Sequence, residues 1–368
     1  MTKARPKLLF VGHLPPPAHG VSVSNQRLLD GGPLHEAFDV DILPIQSIES
    51  MKEIETTGKL ALNKAKRAVQ LFPRLARRLK GVDLVYYTPG LFGLAVLRDA
   101  LLMQVCQARG VPYCLHIHNE RIGHNYEGQP DHPVIRKLHR RMLNNARMNI
   151  LLHESFHPFG GLIEAHVPWR AVFNGVPIPA PQPLKHTGPF RLCYIGNIHH
   201  IKGFTYAVDA MAQLPGVHLD VVGNFSSETY AQEIHRKIES LGLKDRVHFH
   251  GRRPPETAWE PLEDSQVLIF PSHIQEGLPL VWLEAMARGK AVASFDVGCA
   301  RGVLGSVAKD SVVERRDVDA LVATLKDWDR NRSKLQRIRR KARKQAQEIY
   351  SVAAWQQRVT DALVAALD

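Results

Sequence analysis

Glu276 and Glu284 stand eight residues apart in the segment FPSHIQEGLPLVWLEAMARGKAVASFDVG, residues 270–298. An apolar run ends at Pro271, a loop carries Glu276, Gly277, Leu278 and Pro279, and a helical pattern then carries Glu284 about one turn in. Backbone amides around Gly277 fall at the N-terminus of that helix, where unpaired N–H groups and the helix dipole favour a phosphate. Two carboxylates so placed can each accept hydrogen bonds from sugar or ribose hydroxyls while the loop between them holds phosphates.

Other segments carry polar groups at strand ends. GHLPPPAHGVSVSNQ (12–26) joins an apolar run to a helical pattern, a common place for a phosphate, with the helix expected to begin near Ser22 or Ser24. The spacing of Gly12 and Gly20 does not make a dinucleotide G-x-G-x-x-G. YIGNIHHIKG (194–203) follows another apolar run and contains Lys202. YCLHIH (113–118) puts His116 and His118 on one face of a strand, so alternation alone does not say which is functional. Metal chemistry has weak support. Asp39-Val40-Asp41 lies in a strand pattern and Asp317-Val318-Asp319 at a helix start, neither suited to an ion-binding loop. The 19 histidines make no H-E-x-x-H, and the cysteines no C-x-x-C, so no metal ligand and no cofactor is expected.

The elements that must hold these groups alternate between strand and helix patterns, which argues for parallel sheets built from βαβ units. Strands are expected at 8–12, 39–43, 83–88, 113–118, 148–153 and 171–174. After the proline-rich break VPIPAPQPL (176–184) they resume at 191–196, 218–223, 247–251, 267–272 and 291–295. This reads as an α/β chain of two doubly wound, Rossmann-like domains facing a cleft, with ligands outside the carboxyl ends of the strands. The divisions expected are 1–178, 179–345 and a C-terminal helix, 346–368, that packs back on the first domain.

The chain has 368 residues, 44% of them hydrophobic and 23% charged, as in ordinary globular proteins. No run approaches the roughly 18 apolar residues of a membrane span. The N-terminal apolar stretch is too short for a secretory signal, and four scattered cysteines fit a reducing cytosol. A formal net charge of +12 permits a nucleic acid, an anionic membrane or a phosphorylated substrate as partner. A purely nucleic-acid function has no zinc-finger, RRM or aromatic-interleaved basic motif behind it. One basic run, 330–344, reads as a solvated helix. The other, KLALNKAKRAVQLFPRLARRLK (59–80), mixes cations with leucine, valine and alanine and reads as two short helices split at Pro73. That mixture suits an interfacial element on anionic lipid, with Lys64, Arg67, Arg74, Arg77 and Arg78 as its contacts.

Taken in order, PPPAHG, HIH, VFNGV, YIGNIHHIKG and the E-x7-E of EGLPLVWLE resemble the retaining glycosyltransferases of family 4, which have the GT-B fold. The resemblance covers nearly the whole chain. It implies that Glu276 meets the transferred sugar, that Gly277, Leu278 and Pro279 line the phosphate and sugar, and that Glu284 holds the ribose. Lys202 and Gly196 match the diphosphate-binding segment, but Asn197 stands where the family has Arg, so one fixed positive charge is missing. His199 and His200 are candidates to supply part of it. The strand-end histidine matches His118 better than His116. Gly20 matches the second of the family's paired N-terminal glycines, and His19 replaces the first.

The implied activity is metal-independent, cofactor-free transfer of a sugar from a UDP- or GDP-sugar to an acceptor glycan in cell-surface polysaccharide or glycolipid synthesis. The acceptor is expected to be lipid-linked, received on the side of His19, the basic segment and a loop at His124, Asn125 and Tyr126. The enzyme is expected to be cytoplasmic and peripheral on the inner membrane face, with no nucleic-acid partner. An epimerase of the same fold is the alternative. Segments 223–228 and 251–255 are expected to read the nucleotide base, and 297–303 departs from the family's glycine pair and acidic residue.

Overall fold

The computed structural model describes residues 4–16, 20–45, 59–90, 94–118, 122, 131–157, 159–180, 188–274 and 276–368. The chain divides into two compact units, Met1–Gly175 with Val352–Asp368, and Val176–Ser351.

In the first unit, strands β1 (Lys7–Gly12), β2 (Asp39–Pro44), β3 (Leu84–Tyr87), β4 (Tyr113–Ile117), β5 (Met148–Leu151) and β6 (Trp169–Ala171) form a sheet in the order β2-β1-β3-β4-β5-β6. Neighbouring strands in this sheet pair in parallel. Between the strands run α1 (Gly20–Leu29), α2 (Pro33–Ala37), α3 (Lys59–Arg78), α4 (Leu94–Ala108) and α5 (Pro133–Asn144). β1, β3 and β4 are apolar almost throughout because helices cover both faces.

In the second unit, β7 (Arg191–Ile195), β8 (His218–Val222), β9 (Val247–Phe249), β10 (Val267–Phe270), β11 (Ala291–Phe295) and β12 (Val312–Val313) form the order β12-β11-β10-β7-β8-β9, again parallel. Its helices are α6 (Phe204–Ala212), α7 (Glu228–Ser240), α8 (Leu280–Ala287), α9 (Ala300–Leu304), α10 (Ala308–Ser311), α11 (Val318–Arg330) and α12 (Arg332–Ile349). A last helix, α13 (Val352–Val364), belongs to the first unit. There Trp355, Val359 and Leu363 are buried with Leu8, Phe10 and Tyr86 in one cluster.

Two differences from the sequence reading have local causes. α3 is one helix with Pro73 inside it, because Leu71 and Leu75 on either side of the proline are buried and hold it continuous. The second is the basic run 330–344, which is not simply solvated. Leu335, Ile338 and Arg339 of α12 are buried. Arg339 donates to the carbonyl of Gly289 (2.7 Å) and Arg343 to those of Ala287 (2.5 Å) and Pro179 (2.7 Å). These cations meet the carbonyls left open at the end of α8. No helix among the described residues is long and apolar enough to cross a membrane.

Candidate active site

Strand order marks where a ligand crevice is expected. In the second unit the chain leaves β7 for β8 on one side and later returns to β10 on the other, so the order reverses between β7 and β10. At such a switch point the loops diverge and leave a crevice at the carboxyl ends. Lys202 follows β7 and Glu276 follows β10. The Lys202 ammonium lies 2.7 and 2.8 Å from the two carboxylate oxygens of Glu276. Ser272, fully buried, donates its hydroxyl to the same carboxylate. Glu276 is 8% exposed, so its charge is both paired and hydrogen-bonded, as burial requires.

The local sequence makes this contact possible. His199 Nδ1 accepts the amide of Ile201 (3.1 Å) and caps the tight turn His200–Lys202. Gly203 follows with φ 70°, and a Cβ there would stand 1.9 Å from the Pro271 carbonyl oxygen. Only glycine lets the turn lie on the β10 loop closely enough for Lys202 to reach Glu276. On the other side Gly298 (φ 56°) has the same relation to the Glu276 carbonyl, again 1.9 Å from a hypothetical Cβ. Cys299 Sγ lies 2.9 Å from the carbonyl oxygen of Gly277. Arg301 in the same segment is occupied by Asp296 (2.6 Å) and Glu314 (3.4 Å).

Gly277, Leu278 and Pro279 lead into α8, whose N-cap Pro279 makes no side-chain capping bond. The first turn of that helix has no acidic residue to compete with an incoming anion. Glu284 lies mid-helix, half-buried, with its Oε2 3.2 Å from the indole Nε1 of Trp259. Gly196 has φ 143°, its amide bonds Val222 O (3.0 Å), and Asn197 beside it is exposed. His199 is disfavoured as a source of the charge that Asn197 lacks. Its Nδ1 is an acceptor, and partial burial followed by His200 and Lys202 lowers its pKa. His273 is lowered likewise, by burial and then by Arg316, His200 and Arg315. Among the described residues no group of His, Cys, Asp and Glu is arranged to hold a metal ion.

In the first unit the strand order reverses between β1 and β3. Asn25 of α1 joins those two strand ends, donating to His13 O (2.9 Å) and Thr88 Oγ1 (3.1 Å). The helix begins at Gly20 rather than Ser22 or Ser24, and both serines are buried within it. Among the described residues, a Cβ at Gly20 would meet nothing within 4 Å. His19 and the loop at His124, Asn125 and Tyr126 lie outside the described residues.

The two histidines of β4 separate cleanly. His116 is fully buried, and its Nδ1 lies 2.6 Å from the Tyr86 hydroxyl. Burial, then the neighbouring His118, holds its pKa well below the ordinary range, so it is neutral. His118, half-buried just past the strand, stacks on it with ring centroids 4.1 Å apart.

The side chains of the basic segment are described from residue 67 onward. Leu71 and Leu75 are spent inside the unit, and Val69 is 66% exposed. Arg67 is half-buried, while Arg74 and Arg77 are exposed. Arg78 pairs with Asp41 and donates to Ile42 O (3.0 Å). The side chain of Lys64 is outside the described residues.

Ser272, Trp259, Asn25 and Tyr86 were not singled out by the sequence reading. Ser272 had a signal, a buried-strand hydroxyl four residues before Glu276. The others are joined to their partners only by the fold.

Residues 179–345 match the family model of glycosyl transferases group 1. The 2-deoxystreptamine N-acetyl-D-glucosaminyltransferase of Streptomyces fradiae is 28% identical over 298 residues, 74% of this chain and 69% of that one. The lipopolysaccharide core biosynthesis mannosyltransferase LpcC of Rhizobium leguminosarum bv. viciae is 30% identical over 136 residues, so the match spans 35% of this chain and only 38% of that relative. In fold, the chain is similar to Anabaena HepE in complex with UDP, with a TM-score of 0.74 at 19% identity, covering 98% of this chain and 100% of the other. The two parallel sheets and these neighbours make the fold GT-B.

Proposed function

We propose that this chain, whose second unit matches the glycosyl transferases group 1 family, is a retaining family 4 glycosyltransferase. It moves a sugar from a UDP- or GDP-sugar to an acceptor glycan. The observation that carries this reading is the Lys202–Glu276–Ser272 constellation at the β7/β10 switch point. Cleaving the bond between sugar and diphosphate leaves growing negative charge on the phosphate oxygens. An ammonium has three donors, so Lys202 can keep Glu276 and still meet a phosphate oxygen. Amides from Gly277 to the start of α8 add donors that need no reorganisation during reaction. Glu276 then faces the sugar hydroxyls and Glu284 the ribose, while Asn197 offers the phosphate a neutral hydrogen bond. Gly196 leaves room for the backbone to approach it. This arrangement neutralises the leaving group without a metal.

His118 is proposed to contact the transferred sugar, and Gly20 and His19 to lie near donor and acceptor. The lipopolysaccharide enzyme among the relatives supports a cell-surface glycan, lipid-linked, as acceptor. The basic face of α3 supports an anionic membrane as the surface where the enzyme works, peripherally and from the cytoplasm.

The test is a binding screen of UDP, GDP and ADP, followed by incubation of the matching labelled nucleotide sugar with and without acceptor oligosaccharide. Acceptor-dependent product of unchanged anomeric configuration, formed in excess EDTA, is the expected result. Conversion of the donor sugar without acceptor would point to epimerisation instead.

A further inference from the structure

We propose that Trp259 is a positioning residue for the donor: its indole N–H holds the Glu284 carboxylate in the orientation that receives the ribose hydroxyls. The inference rests on the reading of Glu284 as the ribose acceptor and adds the residue that makes it one.

Trp259 lies in the segment between β9 and β10, far from α8 in sequence, and is 5% exposed. Its Nε1 lies 3.2 Å from Glu284 Oε2. The guanidinium of Arg288 sits over the ring, 4.6 Å from its centroid, and Arg288 Nη1 donates to the Glu284 carbonyl at 3.1 Å. Side chain and backbone of one glutamate are thus tied to the same indole–guanidinium pair.

A half-buried glutamate on a helix has several rotamers, and fixing one costs side-chain entropy. A hydrogen bond to a charged group is among the stronger ones, enough to select the rotamer before the nucleotide arrives. A carboxylate accepts up to about four hydrogen bonds, so one N–H sets its plane without exhausting it. Hydrophobic burial alone does not explain this placement of the N–H. The indole nitrogens of Trp282, Trp328 and Trp355 are buried with no hydrogen-bond partner among the described residues. Those three indoles are packed without regard to their nitrogens, whereas that of Trp259 meets Glu284.

The experiment is calorimetric titration of the full chain with UDP or GDP, whichever binds, and with its 2′,3′-dideoxy analogue. Wild type is compared with Trp259→Phe, Glu284→Ala and the double variant, with turnover at saturating donor recorded alongside. Trp259→Phe should weaken the ribonucleotide about tenfold, as for a lost bond to a charged group. It should leave the dideoxy analogue and kcat within about twofold and add nothing to Glu284→Ala. Equal losses for both nucleotides, or none, overturn the proposal. If Glu284→Ala spares ribonucleotide binding, the ribose reading itself fails and the proposal falls with it. Should Trp259→Phe not fold, benzothienylalanine at position 259 keeps the bicyclic ring and removes only the N–H, with the same expected outcomes.

Discussion

The Lys202 ammonium bridges both oxygens of the Glu276 carboxylate, at 2.7 and 2.8 Å, across 74 residues of sequence. Each side chain is therefore the other's neutralising partner before any ligand binds. Lys202→Ala and Glu276→Ala should each lower turnover at least tenfold, about 1.4 kcal/mol in the barrier. Lys202→Ala should also destabilise the fold, because it strands a buried carboxylate. The double variant should lose less than the sum of the two, measured as kcat and as melting temperature. Near-normal turnover in either single variant would put the site elsewhere.

Gly298 stands with φ 56° and its hypothetical Cβ 1.9 Å from the Glu276 carbonyl oxygen. Gly298→Ala must therefore strain its own backbone, by about 1–2 kcal/mol, and push the loop that carries Glu276. The expected result is a lower melting temperature together with a loss of turnover close to that of Glu276→Ala. An alanine variant with normal kcat would mean that the position of this loop does not matter to the chemistry.

Trp355 is fully buried among Leu8, Phe10 and Tyr86, so α13 is part of the first unit's core rather than an appendage. Trp355→Ala should cost about 3–5 kcal/mol, read from denaturant unfolding. A change below about 1 kcal/mol, within the range of surface substitutions, would mean that the helix is not packed as described.

How much of this was legible beforehand depended on range. Apolar runs marked the strands because sheets covered on both faces need them. β12 was missed, since Val312 and Val313 are too short to show any pattern. β6 was expected at 171–174 and is Trp169–Ala171, because its place is set by pairing with β5, Asn149 opposite Trp169. Glu276 and Glu284 were visible as a local motif. Lys202 was tied to them by resemblance, and their contact by nothing local. Trp259 has no signal at all in sequence, as its partner lies on another element. Arg339 and Arg343 look solvated by composition, yet the end of α8 requires them.

Lys290 is 3% exposed, and its ammonium donates to the carbonyls of Leu262 (2.6 Å), Glu263 (3.1 Å) and Ser265 (2.7 Å). Burial pulls its pKa down to about 8, below the ordinary value of 10.5. Between these values the unfolded chain binds more protons than the folded one, so this group makes stability rise with pH, by up to about 1 kcal/mol per unit. Compared with Lys290→Met, wild type should gain relative stability from pH 8 to 10. A constant difference over that range in urea unfolding would mean that Lys290 titrates normally.

Membrane binding through the described face of α3, residues 67–78, is expected to be mainly electrostatic. Among the described side chains, Leu71 and Leu75 of α3 and Leu79 just past its end face the interior and are not available to insert. Val69 and several cations stand outward. Arg74 and Arg77 are exposed, and Arg77 and Lys80 line an open groove with Arg109. Each such cation near an anionic surface contributes about 1 kcal/mol, and the attraction falls off within a Debye length. Arg74→Ser with Arg77→Ser should therefore reduce co-sedimentation with phosphatidylglycerol-containing vesicles by about 30-fold, and raised salt should release the wild type. Arg78 is a poor choice for this test, because it is tied to Asp41 and Ile42 and its loss would disturb the fold as well. Unchanged binding in the double variant would assign the membrane surface to another part of the chain, and binding that survives high salt would mean apolar insertion after all.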